Sequence, residues 1–380
     1  MRPLVKAGSL LLGLTCVLVM PNVVQGQTLK GDKEFPTIRI KGRIQPQFYG
    51  LDNGDYRDQV GPTNQMFLRR ARFQFRVYLR DDISLLLNPS FEGTPAKVRI
   101  QDAYLDLRLS KAGAGTYALF RVGQLKRRFG RYENKSSTNL ASLERGGGNG
   151  LLKATSNDLF KKAGFLGRDV GAVLFLGNTT SAGHAGFGKP ADGGSGSSHP
   201  WGLSLSVFNG SGASASDVNN AKSFGARGTV RVTGQLDIGA AVFLHDGIVG
   251  ADSSFTNVAY GLEAEWGRLA QPGLWLDAEW MYGQAFTAGK PWMQGLSVIG
   301  AYHIRMPEGS LFYALEPAGQ IDVGDPDKDT PEDASWLFRV GVNAYLTPRT
   351  QLRLMLENQT FNANGAPTIF GVRTGITVSW

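Results

Sequence analysis

The sequence has almost no cysteine. Cys16 is the only one in 380 residues. It sits in an N-terminal segment in which Arg2 and Lys6 precede an apolar run from Ala7 to Met20, closed by Pro21 and followed by the small residue Gly26. That layout predicts a secretory signal peptide over residues 1–26 with cleavage after Gly26, leaving residues 27–380 as one domain without cysteine. An exported chain of this size without disulfides must be held by its sheet or its core. Long apolar runs are missing too: after the N-terminal segment the uncharged stretches of 18 residues or more, 170–188 and 193–216, are broken by Gly, Ser, Thr and Asn, and mean hydropathy is −0.17. Helical membrane spans are thereby excluded beyond the signal. A transmembrane barrel is not excluded, because its strands run only about 9–11 residues and alternate in polarity. Histidine is scarce, with four residues. No HExxH or G-x-S-x-G motif is present. The run GGGNG at 146–150 does not follow a strand and open a helix, so it is no phosphate loop. A Ser–His pair using His245 or His303 is the one catalytic arrangement that spacing leaves open. The sequence implies no cofactor and no metal, and the expectation is a non-enzyme.

Period-2 alternation is abundant. In PTIRIKGRIQPQFYG (36–50), Ile38, Ile40, Ile44 and Phe48 share one face, and Arg39, Lys41, Arg43, Gln45 and Gln47 the other. MFLRRARFQFRVYLRDD (66–82) divides likewise, since successive strand side chains point to opposite faces. Phe67, Phe73, Phe75, Val77 and Leu79 are expected to face lipid, and Arg70, Arg72, Arg76 and Arg80 water. A midplane arginine on the lipid side costs about 2–4 kcal/mol. Arg69, on the apolar face, is expected near a strand end, where it can snorkel. Further alternating segments follow to Trp380, about 16 strands in all, the number of a porin-sized antiparallel barrel. Short connections such as Asp81-Asp82, Gly234-Gln235 and Pro348-Arg349 alternate with longer ones expected at 51–65, 246–256 and 322–334. The longest spans about 127–169. The Gly/Ser-rich segment 178–200 falls where a short turn is expected. Trp201, Trp266, Trp275, Trp280, Trp292 and Trp336 near strand ends suit the aromatic belts of a membrane barrel. On the fourth strand, Asp102, Tyr104 and Asp106 share a parity with Val98 and Ile100, which predicts a bulge or an interface crossing. A soluble β-sandwich also alternates, but it needs neither belts nor apolar outer faces in strand after strand.

Charge is unevenly distributed. Residues 27–168 carry 26 Lys and Arg against 13 Asp and Glu, and residues 169–380 carry 12 against 19. An exported barrel has no use for nucleic acid, so the net charge of +8 points elsewhere. Rows of arginine and lysine line anion and phosphate pores, and guanidinium forks fit phosphate oxygens. The expected anion pathway is Arg39, Lys41, Arg43, Arg70, Arg72, Arg76 and Arg80, joined by Lys126 and Arg128 at the start of the long third loop. The alternative is a general diffusion porin whose arginines are neutralised by acids on the loop or the opposite wall. A non-conducting anchor would lack conductance altogether. The run DVGDPDKDTPEDAS (322–335) has Asp325, Asp327 and Asp329 at calcium-loop spacing but lacks the glycine and closing glutamate of an EF-hand, so it reads as a solvated loop.

The stretches FLRRARFQF, VRIQDAYLDL, FRVGQLKRRFG, LERGG and GRDVGAVLFLG, with the closing FRVGVNAYLTPRTQLRLMLEN and GVRTGITVSW, resemble the phosphate-selective porins of the O and P type. The resemblance implies an all-β, 16-stranded transmembrane barrel in the bacterial outer membrane, with lipid and lipopolysaccharide around it. It implies a homotrimer, a third loop folded into the pore, passage of small anions such as phosphate or polyphosphate, and insertion by the barrel-assembly machinery. That machinery reads an aromatic last residue, commonly Phe, where this chain has Trp380. The signal-peptide reading predicts a mature N-terminus at Gln27 by intact mass. It also predicts identical gel mobility with and without thiol reductant; a reductant-dependent shift would contradict it.

Overall fold

A computed structural model describes residues 28–29, 36–52, 62–92, 97–110, 117–178 and 201–380, apart from 139, 149–150, 218, 250–252, 288, 364–365 and 367. The expected signal peptide and the Gly/Ser-rich segment at 179–200 lie outside the described residues. Sixteen antiparallel strands make one sheet: β1 Thr37–Leu51, β2 Asn64–Tyr78, β3 Ile83–Glu92, β4 Lys97–Arg108, β5 Tyr117–Lys126, β6 Arg168–Gly177, β7 Trp201–Phe208, β8 Ser223–Arg231, β9 Leu236–Val249, β10 Ser253–Trp266, β11 Gly273–Gln284, β12 Trp292–Arg305, β13 Ala314–Asp325, β14 Ser335–Thr347, β15 Thr350–Phe361 and β16 Ile369–Ser379. Each pairs with its sequence neighbour, and β16 returns to β1 (Gly371 opposite Leu51, Ser379 opposite Arg43), so the barrel is closed. Closure leaves no edge strand to seek a partner. A two-residue strand, Thr28–Leu29, pairs with Arg39 and Ile38 beyond the end of β16. Two short helices interrupt the long connection between β5 and β6: α1 Arg131–Asn134 and α2 Ser156–Lys162. Among the described residues no helix is long and apolar enough to cross a membrane.

In a closed sheet the two faces are outside and inside. Leu262, Phe224, Val340 and Leu356 are exposed on the outer face. The alternate residues Glu263, Asn343, Glu357, Gln359 and Arg373 are buried on the inner one. Trp201, Trp266, Trp280 and Trp336 are exposed outward, and Trp280, Tyr282 and Trp292 stack with near-parallel rings. Trp275 departs from the expected belt. It shares its parity with Asp277 and Glu279, is buried, and donates Nε1–H to Glu265 Oε1 at 2.7 Å.

Two bulges reset the alternation, and each sits opposite a proline. Gln45 pairs with Arg70 but Pro46 with Leu68, so Arg69 is the extra residue of β2. Asn88 pairs with Asp102 but Pro89 with Ile100, so Gln101 is extra in β4. A proline cannot donate to the ladder, and sheets tolerate it at such irregularities. The second bulge meets the expectation for the fourth strand: Val98 and Ile100 are exposed outward, while Asp106 is buried. The first bulge overturns an expectation. Below Arg70 the phase flips, so Leu68 and Met66 face outward and Phe67 packs its ring edge-on against buried Tyr49. Arg69 points inward beside Arg70 instead of snorkelling outward. The connection expected over 246–256 is also shorter, because β9 and β10 run to Val249 and from Ser253. Asp246 and Thr256 stand directly opposite each other in the extended ladder, in the same phase as the exposed Leu244 and Tyr260, and Thr256 donates to Asp246 Oδ2 at 2.8 Å.

Deleting Arg69 removes the bulge but lets Leu68 follow Arg70 in regular alternation, so residues 64–68 keep their present faces and partners. The fraction of chain reaching the heat-modifiable barrel form should stay near that of wild type in gel-shift assays, whereas deleting Leu68, which leaves an odd residue on the wrong face, should lower it severalfold. Equal loss in both variants would mean that the bulge does not set the register.

Candidate functional site

The register of β1 and β2 sets Arg39 opposite Arg76 and Arg43 opposite Arg72. Like charges directly opposite destabilise a strand pair, so something must compensate. The inner faces of β1–β6 and the segment 127–167 enclose a cavity of about 910 Å³. Sixteen of its lining residues are Lys or Arg and five are Asp or Glu. Eight of the nine expected pathway residues line it: Arg39, Lys41, Arg43, Arg70, Arg72, Arg76, Lys126 and Arg128. Arg80 does not; it lies at the β2–β3 turn, exposed and paired with Asp82 at 2.6 Å.

The cations differ in how they are compensated. Arg69 donates Nε–H to Glu144 Oε1 at 2.7 Å and Nη2–H to Oε2 at 3.0 Å, and Arg70 reaches that same Oε2 at 3.0 Å. Arg72 donates to Glu92 at 2.5 Å. Arg76 and Arg121 share Asp106, the latter through both oxygens at 2.6 and 3.0 Å. Tyr104 lies against both guanidinium groups, 3.9 Å from ring centre to Arg121. Arg168 forks onto Asp102. Among the described residues no carboxylate meets Arg39, Lys41 or Arg43. Arg39 rests on the Tyr78 ring, and Arg43 donates to Ser136 Oγ at 3.1 Å with its buried Nε unpartnered. Lys126 and Arg128 hold backbone in place. Lys126 donates to the carbonyls of Glu133 and Lys135, and Arg128 to Asn134 Oδ1.

Segment 127–167 has two unlike sides. Its apolar side packs on inward-facing apolar residues. Phe129, Phe160 and Phe165 join Phe175, Phe208, Phe243, Met281 and Met293 in one buried cluster; Tyr132, Leu140 and Leu143 join Trp275, Ile299 and Met355 in another. Salt bridges pin it further. Arg131 meets Asp277 at 2.9 Å and also Glu265, and Lys135 meets both acids at 2.7 and 2.9 Å. Ser156 N–H, at the start of α2, donates to Asp322 at 2.7 Å. Thr155 caps α2: its Oγ1 accepts from Asp158 N–H and its hydroxyl donates to Asp158 Oδ2 at 2.8 Å. Arg339 donates to the carbonyls of Glu144 and Gly146. The polar side, with Glu133, Ser136, Glu144, Arg145 and Lys161, lines the cavity. Burial opposes a charge on Glu144, but Arg69 and Arg70 hold its carboxyl well below the ordinary carboxylate range.

Arg99, Arg121, Arg145, Arg168 and Arg349 line the cavity without having been expected there. Asp102 and Asp106 gave the available signal, since inward acids on β4 imply cations on the neighbouring strand. Gly123, directly opposite Tyr104, has φ 133°, and a Cβ there would lie 2.3 Å from the Ala103 carbonyl oxygen. No side chain therefore intrudes where Tyr104 meets Arg121. The Ser–His arrangement left open by spacing exists as Ser223 Oγ to His245 Nδ1 at 3.1 Å. Both residues are buried, the imidazole lies against Phe286 and Phe165, and no carboxylate bonds to it among the described residues. Asp325 and Asp327 turn their carboxylates onto backbone N–H groups two residues on, as Asx turns do. Among the described residues no cluster could hold a metal ion.

Comparison with known proteins follows this geometry. A model of the family of phosphate-selective porins O and P matches residues 38–307. No curated protein matches the chain. Several solved structures share the fold at low identity. An anion-selective porin from Comamonas acidovorans superposes with TM-score 0.59 at 12% identity, over 91% of this chain and 100% of that one. The outer membrane channel DcaP of Acinetobacter baumannii gives 0.56 at 13%, over 93% and 100%. A trimer form of the outer membrane protein OmpT of Vibrio cholerae gives 0.53 at 11%, over 91% and 100%.

Arg43→Gln should lower the anion-over-cation permeability ratio, and Arg72→Glu should lower it further by adding an acid beside Glu92. Arg80→Gln should leave the ratio unchanged. Reversal potentials of the three variants check this ordering, and an effect of Arg80→Gln as large as that of Arg43→Gln would contradict it.

Proposed function

We propose, from the premise that this chain belongs to the family of phosphate-selective porins O and P, that it is an anion-selective channel whose permeant ions include phosphate or polyphosphate. The family and the closed 16-stranded barrel make it an outer-membrane channel of a bacterium. The anion selectivity is our reading. The observation that carries it is the excess of sixteen Lys and Arg over five Asp and Glu around one cavity. In a low-dielectric enclosure that excess raises the local anion concentration and repels cations. Arg39, Lys41 and Arg43 supply charge that no described carboxylate cancels, and guanidinium forks suit phosphate oxygens. Passage also requires release, so each contact must be weak enough to leave. The segment 127–167 narrows the passage in this reading, with its polar side turned to the ions. A homotrimer is part of the proposal, supported by family membership and by the trimer form of one structural relative.

A general diffusion porin is the second reading. It is favoured by the pairing of Arg69, Arg70, Arg72 and Arg76 with Glu144, Glu92 and Asp106. Single-channel recording in a planar bilayer under a KCl gradient separates the two. Chloride preference, with current reduced by added phosphate or polyphosphate, is the expected result. A weakly selective or cation-selective channel would transfer the assignment to general diffusion.

A further inference from the structure

Arg69 and Arg70 are adjacent in sequence yet both point inward, because Arg69 is the bulge residue of β2. They converge on one acceptor. Glu144 presents both carboxylate oxygens to Arg69 and shares Oε2 with Arg70, with every contact between 2.7 and 3.0 Å. One guanidinium fork and a second guanidinium contact around the two oxygens of one anion is a geometry in which a pair of arginines can hold a phosphoryl group. The carboxylate also belongs to the segment that borders the ion pathway, and all three residues line the cavity. Glu92, by contrast, meets Arg72 from a neighbouring strand at 2.5 Å and reaches Arg69 with one oxygen at 3.8 Å, and the Glu133 carboxylate pairs with Arg145 at 3.4 Å.

We propose that Glu144 is a specificity-determining residue: a tethered anion that occupies the Arg69–Arg70 fork and competes there with permeant oxyanions. The inference rests on the anion-channel reading and adds a reason why so cationic a cavity need not trap phosphate. An open fork of two arginines would bind a divalent oxyanion and hold it. With Glu144 at high effective concentration, an arriving anion displaces a carboxylate, and the returning carboxylate displaces the anion. Glu144 remains attached because its backbone carbonyl accepts from Ser142 Oγ at 2.6 Å and from Arg339 at 3.2 Å. The side chain can therefore leave the fork without releasing the segment. A step of this kind changes no covalent bond; one charge-assisted contact replaces another.

The test is phosphate block of chloride current in single channels of wild type, Glu144→Gln and Glu133→Gln. Each variant removes one loop carboxylate from the cavity, but only Glu144→Gln frees the fork. Glu144→Gln should lower the half-blocking phosphate concentration about tenfold and lengthen blocked dwell times, as expected when a charged competitor is lost from a charge-assisted site. Glu133→Gln should shift block much less. Heat-modifiable gel mobility identifies correctly folded channels, and Glu144→Ala, which has no amide to reach the arginines, should reproduce the shift. Equal shifts in Glu144→Gln and Glu133→Gln would show a general charge effect and overturn the proposal. So would unchanged block in folded Glu144→Gln. If wild type itself shows no anion preference, the channel reading fails first, a result distinct from either.

Discussion

A closed barrel gives each strand residue two directions, lipid or lumen, and everything else in this molecule follows from how that choice is made. A guanidinium at mid-depth on the outer face would cost about 2–4 kcal/mol. The arginines of β1 and β2 therefore turn inward together, and their apolar neighbours turn outward as a consequence. The same parity sets Arg39 against Arg76 and Arg43 against Arg72. The repulsion so created has to be relieved from within the lumen. Tethered carboxylates on β3, β4 and the segment 127–167 relieve part of it, and the cavity contains the rest as uncompensated charge.

The interior is divided accordingly. On β10, β11, β13 and β15 the inward row carries Glu263, Glu265, Asp277, Glu316, Asp322 and Glu357, all buried. Arg131 and Lys135 carry the charge of 127–167 to that acidic side, while Glu144 carries an acid to the basic side. The segment thus crosses between two oppositely charged walls with matching ends. Its phenylalanines fill the apolar interval between β6 and β12. Buried ion pairs are weak contributors to stability taken alone, since desolvation offsets the attraction, but breaking one partner leaves a costly charge. Here they fix position, and the apolar clusters supply the driving force.

Much of this was legible in the sequence. The strand number, the inward rows on β1 and β2, the long connection after β5 and the irregularity of β4 all follow from alternation alone. Two features escaped for the same reason. Alternation tells which residues share a face only while the phase is constant, and Pro46 resets it opposite Arg69. Reading Pro46 as the marker of a bulge would have placed Phe67, Leu68 and Arg69 correctly. Trp275, Phe175, Phe208 and Phe243 escaped differently. An apolar residue at an inward position looks the same in sequence whether it meets lipid or a folded segment inside the barrel. The partners of the cations were beyond reach, because Glu144 is 74 or 75 residues from the arginines it meets.

The apolar side of 127–167 has a consequence for what the barrel's size means. Sixteen strands suggest a wide pipe, but Phe243, Met281, Met293, Ile299 and Met355 on the inward faces of β9, β11, β12 and β15 are buried in apolar clusters with residues of that segment. The cavity that remains lies along β1–β6, against one wall, with guanidinium groups on the strand side and the polar side of 127–167 on the other. In the proposed channel the bore is then a matter of layer thickness rather than of strand number, and substitutions among the buried phenylalanines change that thickness without altering a charge on the cavity wall.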